Sequence, residues 1–215
     1  MKYFDTTLYF ITDSTPYTEE EFLHRVEEGL KGGATIIQLR EKNRSTREYI
    51  DLAEKVHEIS QRYKVPLIID DRLDVALACK AEGVHLGQSD MQIDIARKIA
   101  QKIAGKNFII GATTKTVEQA KKAYELGADY CGVGAIYPTT TKVKTVLTST
   151  QTLKKICEAV PIPVNAIGGL NKTNTEVLRG IKIAGICVVS AIMHAKNPRE
   201  EAEILLSRAK KLTGR

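Results

Sequence analysis

Short apolar runs, most of them rich in β-branched residues, recur eight times along the chain and alternate with polar segments. The runs cover residues 8–12, 34–39, 66–70, 83–86, 108–112, 130–136, 163–168 and 185–190. Between them, segments such as EEEFLHRVEEGLKG and TREYIDLAEKVHEISQRY repeat apolar residues at the spacing of an amphipathic helix. Because strands that alternate with helices form parallel sheets, this pattern predicts an α/β protein.

The number of predicted strands favours a closed barrel. Eight strands in 215 residues match a (β/α)₈ TIM barrel, and we expect a single domain over residues 1–215. The alternative is an open doubly wound sheet, but the first strand–helix junction, Asp13-Ser14-Thr15-Pro16, lacks the glycine-rich dinucleotide motif. Glycines at four joints are expected to end helices in a left-handed conformation. These are Gly32-Gly33, Gly83, Gly127 and Gly185.

Composition and charge narrow the classes of partner. A net charge of +6 permits anionic partners, but the basic residues are interspersed with acidic ones and only 6% of residues are aromatic, which disfavours nucleic-acid binding. The four cysteines form no CxxC pair, so zinc and redox motifs are absent. We find no membrane-length apolar run and no signal segment, and we expect a cytoplasmic protein with no membrane contact. The sequence leaves open the choice between a monomer and a homo-oligomer.

Polar side chains collect after the carboxyl ends of the predicted strands, where barrels of this kind carry their sites. The second strand runs into Gln38-Leu39-Arg40-Glu41-Lys42. Because side chains alternate along a strand, Gln38, Arg40 and Lys42 should face one side, and Leu39 and Glu41 the other. An amide and two cations on one side suit a diphosphate, although a solvated strand end would carry the same residues.

Two aspartates follow neighbouring strands, Asp71 after the third and Asp90 after the fourth. Their carboxylates should lie close together at the barrel mouth, where they would suit Mg²⁺ completed by water and substrate phosphate. The alternative is a structural role in which Asp71 caps the helix that starts near Asp74, or pairs with Arg72.

The loops after the later strands suggest a second anion site. Gly168-Gly169 leaves backbone N–H groups accessible, although these glycines would also suit a tight turn, and Val189-Ser190 precedes a helical segment. Loops after the seventh and eighth strands are a frequent phosphate site in barrels. The sixth strand is followed by YPTTTK, residues 137–142, which offers hydroxyls and a lysine between the two sites. Two anion sites predict two phosphorylated substrates and a joining reaction.

Six motifs, in this order and over nearly the whole chain, resemble the thiamine phosphate synthase family. They are QLREK, DDR after PLII, GVHLGQSD, GADYCGVGAIYPTTTK, AIGGL and VVSAI. The resemblance implies a (β/α)₈ transferase that joins hydroxymethylpyrimidine diphosphate to thiazole phosphate with Mg²⁺, giving thiamine phosphate and pyrophosphate. It also implies a dissociative mechanism, in which the diphosphate leaves before the thiazole nitrogen captures the pyrimidine-methyl cation.

The resemblance assigns roles to individual residues. It implies a pyrimidine diphosphate site formed by Gln38, Leu39, Arg40, Glu41, Lys42, Asp70, Thr113 and Lys142. It implies a thiazole phosphate site formed by Thr139, Thr140, Thr141, Gly169, Val189 and Ser190. Asp71 and Asp90 would hold Mg²⁺. Arg40, Lys42 and Lys142 would be catalytic, because they neutralise the departing pyrophosphate.

The chain departs from the family pattern at three places. Asp70 stands where the family usually has Asn, and Thr113 and Lys115 stand where it has the Ser and His of a GxSxH pattern. The segment after Lys142 lacks a glycine that is common there. These departures leave two alternatives open, a thiazole tautomerase-like isomerase and a non-catalytic ligand-binding relative. They also leave open the form of thiazole that the protein uses, and no catalytic role is predicted for His85.

Overall fold

A computed structural model describes residues 4–139 and 146–215, and its eight parallel strands close into a barrel in chain order. The first strand, β1 (Leu8–Ile11), pairs with the last, β8 (Gly185–Val188), and this pairing closes the sheet. The expected (β/α)₈ barrel is therefore confirmed, and the open doubly wound alternative is wrong. The other strands are β2 (Ile36–Leu39), β3 (Leu67–Asp70), β4 (Gly83–Leu86), β5 (Ile109–Thr114), β6 (Tyr130–Gly134) and β7 (Val164–Ile167).

Helices follow the strands and pack around the barrel. Side-chain caps start several of them, including a reciprocal capping box in which Ser45 and Glu48 satisfy each other's backbone N–H groups. No helix among the described residues combines the length and the apolar character needed to cross a bilayer. The α-helices are α1 (Glu19–Lys31), α2 (Thr46–Arg62), α3 (Leu73–Ala78), α4 (Ile93–Ile103), α5 (Val117–Glu125), α6 (Thr150–Ala159), α7 (Ser190–Met193) and α8 (Pro198–Thr213), and a 3₁₀ helix covers Thr175–Leu178.

The core has two layers, because consecutive strand residues face opposite sides of the sheet. Leu8 and Phe10 belong to a large cluster between the strands and the helices, whereas Tyr9 and Ile11 belong to a smaller cluster inside the barrel. Inward-facing side chains near the carboxyl ends of the strands therefore line the mouth of the barrel, where the site is expected.

The glycines at the joints between helices and strands have two different structural roles. Gly33 and Gly127 have φ angles of 94° and 100°, and they adopt the expected left-handed conformation. The same expectation is wrong for Gly32, which is right-handed with a φ of −72°, and for Gly83 and Gly185, which begin β4 and β8. A Cβ on Gly185 would lie 1.8 Å from the carbonyl oxygen of Thr6, so the absence of a side chain allows this close approach where the barrel closes.

A half-buried ion pair joins α2 to the amino-terminal end of the barrel. His57 Nε2 lies 3.1 Å from Glu82 Oε1, and the backbone N–H of Leu67 donates to Glu82 Oε2 at 2.7 Å. The hydrogen bond that His57 donates to Glu82 raises the pKa of His57 above its ordinary value of 6.5. Burial acts to raise the pKa of Glu82, but the bonds from His57 and Leu67 outweigh it and lower that pKa below 4.5.

This pair predicts a specific dependence of stability on pH. A raised histidine pKa contributes stability that is complete below about pH 6.5 and is lost as the pH rises through the folded pKa. A lowered glutamate pKa contributes stability above about pH 4.5 that is lost on further acidification. In urea unfolding, wild type should exceed His57→Gln in stability most strongly at about pH 6, and the difference should shrink by about pH 9.

The matched control is His24→Gln, because His24 is an exposed helical histidine. At about pH 6 this variant should lose less stability than His57→Gln, because it leaves the ion pair with Glu82 intact. Equal differences at both pH values for His57→Gln would contradict the assigned ion pair.

Candidate active site

Two cations and two carboxylates meet where β2 and β3 end. Lys42 Nζ donates to Asp70 Oδ2 at 2.7 Å and also bonds the carboxylate of Asp71. Arg40 Nε lies 3.9 Å from the same Asp70 oxygen. Asp70 is only 7% exposed, whereas the side chain of Lys42 is 42% exposed, so the cluster extends from the buried end of β3 to solvent at the rim of the barrel.

The alternation predicted for QLREK is present. Gln38 faces the barrel interior, where its amide donates to the hydroxyl of Tyr9 at 2.8 Å. Leu39 lies in the outer core between strands and helices. Glu41 points away from the cluster and accepts hydrogen bonds from Ser14 Oγ at 2.9 Å and Arg44 Nε at 3.1 Å. The side chains of Leu39 and Glu41 therefore do not reach the expected diphosphate site, and their membership in it could rest only on backbone groups.

Asp71 and Asp90 come together as predicted. Their carboxyl groups lie within hydrogen-bonding range of each other, and Asp90 Oδ2 accepts the N–H of Gly87 at 2.6 Å. The alternative in which Asp71 caps α3 or pairs with Arg72 is wrong, because Arg72 occupies the N-cap position and bonds Asp74 instead. Asp71 has a φ of 61°, which is unusual for a residue other than glycine and is a feature that clusters at functional sites.

The pKa shifts in this cluster follow from burial and from Lys42. Burial raises the pKa of Asp70, and burial together with the neighbouring Asp71 raises that of Asp90. Burial also acts on Asp71, but its bonds to Lys42 outweigh it and lower the pKa. Burial alone would lower the pKa of Lys42, yet the attraction of Asp70 and Asp71 raises it. Lys42 is therefore held as a cation, while the carboxyl groups crowd one another.

The carboxyl pair suits a hard divalent cation. Mg²⁺ is usually held by one or two carboxylates, with water and substrate phosphate completing its shell. Within residues 4–139 and 146–215, no group of three or more His, Cys, Asp or Glu side chains is arranged to hold a metal. The donors that Asp71 and Asp90 supply therefore fit Mg²⁺ that depends on substrate for further ligands, and they do not form an enclosed metal cage.

A chain of hydrogen bonds crosses the barrel interior below the mouth. The hydroxyls of Tyr9 and Tyr130 lie 2.6 Å apart. His85 lies 3.0 Å from the Tyr130 hydroxyl through Nδ1 and 2.9 Å from Thr113 Oγ1 through Nε2. With the bond from Gln38 to Tyr9, the chain links two residues that were expected to bind the pyrimidine diphosphate, Gln38 and Thr113.

Sequence reasoning did not include Tyr9, Tyr130 or His85 among the site residues. A signal was available, since strand alternation places Tyr9 and Gln38 on the inner side of neighbouring strands. The space for Tyr130 depends on Gly111 in β5, where a Cβ would lie 2.1 Å from the Tyr130 ring. The interior thus carries a chain of polar groups among apolar side chains, and no single motif reveals it.

The other predicted anion site lies on the loops after β6, β7 and β8. Gly169 has a φ of 64° and packs against Tyr137 and Pro138, so the β7 loop lies beside the segment that leads into Thr139. Val189 packs against the inner cluster, and Ser190 begins α7. The structure therefore brings Gly169 close to the chain preceding Thr139. Thr140, Thr141 and Lys142 lie outside the described residues.

Comparison with known proteins identifies the family. A family model described as thiamine monophosphate synthase matches residues 8–192. The chain belongs to this family. It is 47% identical over 210 residues to the thiamine-phosphate synthase of Methanobrevibacter smithii, covering 98% of both chains. It is 44% identical over 204 residues to that of Clostridium tetani, covering 95% of this chain and 96% of the relative. A solved thiamine phosphate pyrophosphorylase from Pyrococcus furiosus superposes with a TM-score of 0.87 at 40% identity, covering 96% of each chain.

Membership of the thiamine monophosphate synthase family confirms the resemblance drawn from the six motifs and the expectation of a transferase. The relatives named thiamine-phosphate synthase match this chain over nearly their whole length. The roles of individual residues and of Mg²⁺ stay predictions.

Proposed function

We propose that the protein is a Mg²⁺-dependent transferase that joins hydroxymethylpyrimidine diphosphate to thiazole phosphate and releases pyrophosphate. The observation that carries this proposal is the cluster at the ends of β2, β3 and β4, where Lys42 bonds one member of the Asp71–Asp90 pair and Arg40 lies beside Asp70. The relatives carry the name thiamine-phosphate synthase, and the resemblance of the six motifs implies the two substrates. Both substrates are small phosphorylated molecules, and the expected cytoplasmic location belongs to the same proposal.

Charge explains how the cluster would receive a diphosphate. Asp70 and Asp71 hold the ammonium of Lys42 at the rim, and Arg40 lies beside it. A diphosphate carries several negative charges. The guanidinium of Arg40 can bind them through two parallel hydrogen bonds, and the ammonium of Lys42 can bind them as a compact charge. Asp71 and Asp90 would hold Mg²⁺, which when bound supplies positive charge against the leaving diphosphate.

The reaction needs the protein to stabilise developing charge and does not need a nucleophilic side chain. The bond between the pyrimidine methylene carbon and the diphosphate oxygen breaks, and both electrons stay with the oxygen. The lone pair of the thiazole nitrogen then forms the new bond to the methylene carbon, so no proton is lost. Arg40 and Lys42 stabilise the charge that develops on the leaving oxygen, which is a term that often dominates enzymatic rate enhancement.

Below the rim, the buried hydroxyl and thiol groups of the barrel interior stay neutral, which suits a cationic intermediate. Burial raises the pKa of the Tyr9 and Tyr130 hydroxyls well above their ordinary value, and burial raises the pKa of the Cys187 thiol in the same cluster. None of these three groups is an anion at neutral pH. They therefore offer no strong nucleophile in competition with the thiazole nitrogen.

The thiazole phosphate is assigned to the loops after β6, β7 and β8. The backbone of Gly169, together with Thr139, Val189 and Ser190, would bind it. Thr140 and Thr141 complete this set, and Lys142 is assigned to the departing pyrophosphate.

The direct test is product formation by the purified protein. With both substrates and Mg²⁺, mass spectrometry should show thiamine phosphate and pyrophosphate in equal amounts, and a chelator should stop their formation. Metal-independent isomerisation of the thiazole phosphate would support the tautomerase-like alternative. Calorimetric binding of both substrates with no product at high protein concentration would support a non-catalytic relative.

The carboxyl pair predicts a second result. Asp90→Asn removes one charge with little change of shape, so at a fixed Mg²⁺ concentration turnover should fall by at least roughly 10- to 100-fold, the loss that substitution of groups supporting a metal ligand already causes. Asp94→Asn is the matched control, because Asp94 bonds Lys98, an exposed residue on the same helix, and its turnover should stay near wild type. Unchanged turnover for Asp90→Asn would refute the metal assignment.

A further inference from the structure

Tyr49, in the first turns of α2, reaches back to the ends of two strands. Its side chain is buried, and its hydroxyl donates to the carbonyl of Leu39 at 2.8 Å. The same hydroxyl lies 3.3 Å from the carbonyl of Asp70. These carbonyls belong to the peptide groups that lead directly into Arg40 and Asp71.

The same two peptide groups are also held at their N–H ends. The N–H of Arg40 donates to Thr12 Oγ1 at 3.3 Å, and the N–H of Asp71 donates to the carbonyl of His85 at 2.8 Å. Because a peptide group is planar, contacts at its oxygen and at its nitrogen together fix the orientation of the plane.

Orientation matters most at Asp71. Its φ of 61° lies in the left-handed region, which costs a residue other than glycine free energy and persists only when neighbours enforce it. This backbone directs the carboxylate towards Lys42 and Asp90. Burial raises the pKa of Tyr49 far above the neutral range, so its hydroxyl keeps its proton and remains a donor.

We propose that Tyr49 is a positioning residue, whose hydroxyl sets the orientation of Arg40 and Asp71 and thereby the affinity of the cluster for a divalent cation and a diphosphate. The inference rests on the proposed function for its chemistry. These contacts of the hydroxyl are with backbone groups, so the residue acts through its neighbours and not on substrate.

The test compares Tyr49→Phe with Tyr63→Phe. The first removes the hydroxyl and keeps the ring. The second is the matched control, since the Tyr63 hydroxyl bonds Glu27 between α1 and α2. Binding of Mn²⁺ in the presence of inorganic pyrophosphate, followed by electron paramagnetic resonance, should weaken about tenfold in Tyr49→Phe and stay at the wild-type value in Tyr63→Phe. The KM for thiazole phosphate should be unchanged in both variants.

Amide exchange provides a readout that needs neither metal nor turnover. The amide proton of Asp71 should exchange with solvent faster in Tyr49→Phe than in wild type. The circular dichroism spectrum of the variant should match that of wild type. A measurement on wild type alone covers the case in which the variant fails to fold. The Tyr49 hydroxyl proton should then appear in NMR spectra as a slowly exchanging signal.

The outcomes separate this inference from the proposed function. Unchanged Mn²⁺ affinity and unchanged Asp71 exchange in a folded Tyr49→Phe would overturn the positioning role, as would the lack of a slow hydroxyl signal in wild type. A wild type that binds no Mn²⁺ would remove the metal site and this inference together. A wild type that binds Mn²⁺ but forms no thiamine phosphate would reject the proposed reaction. The ratio of the Mn²⁺ affinities of wild type and Tyr49→Phe would still decide the role of Tyr49.

Discussion

The hydrogen-bonded pairing of β1 with β8 is the constraint on which the rest of the molecule depends. It places Tyr9 opposite Cys187 and closes eight parallel strands into one ring. Because the strands are parallel, all of their carboxyl ends lie on the same rim. Residues that are far apart in sequence, such as Lys42 and Asp71, can therefore share a hydrogen bond. Gly185 makes the closure possible by leaving room for the carbonyl of Thr6.

Balanced charge at this rim links the fold to the chemistry. Asp70 is the carboxylate that departs from the family pattern, and it is buried and bonded to Lys42. In the free protein it therefore holds the lysine at the position where a diphosphate would be bound. The Asp71–Asp90 pair adds negative charge that a divalent cation would neutralise. The cluster thus favours binding of metal and diphosphate together. The metal supplies positive charge to the Asp71–Asp90 pair, and the diphosphate supplies negative charge to Lys42.

Periodicity was enough to predict the barrel, but not every detail of its rim. The eight predicted strands match the observed ones within two residues at each end; β5 runs on to Thr114 because it keeps pairing with β6, and β6 ends early at Gly134. The proximity of Asp71 and Asp90 followed from strand order alone. The hydroxyl of Tyr49 could not be placed in this way, because its position in α2 says nothing about which carbonyls it reaches. The interior chain through Tyr9, Tyr130 and His85 likewise depends on packing across the barrel.

The central claim is that Lys42 and the neighbouring carboxylates form one site for a metal-bound diphosphate. Calorimetric titration with inorganic pyrophosphate, with and without Mg²⁺, measures this most directly for wild type and Lys42→Met. We expect wild type to bind pyrophosphate much more tightly with Mg²⁺, and Lys42→Met to lose on the order of tenfold or more of that affinity, in line with the loss of a charge-assisted contact. Equal affinity in the two proteins, or binding of pyrophosphate that Mg²⁺ does not change, would contradict the account.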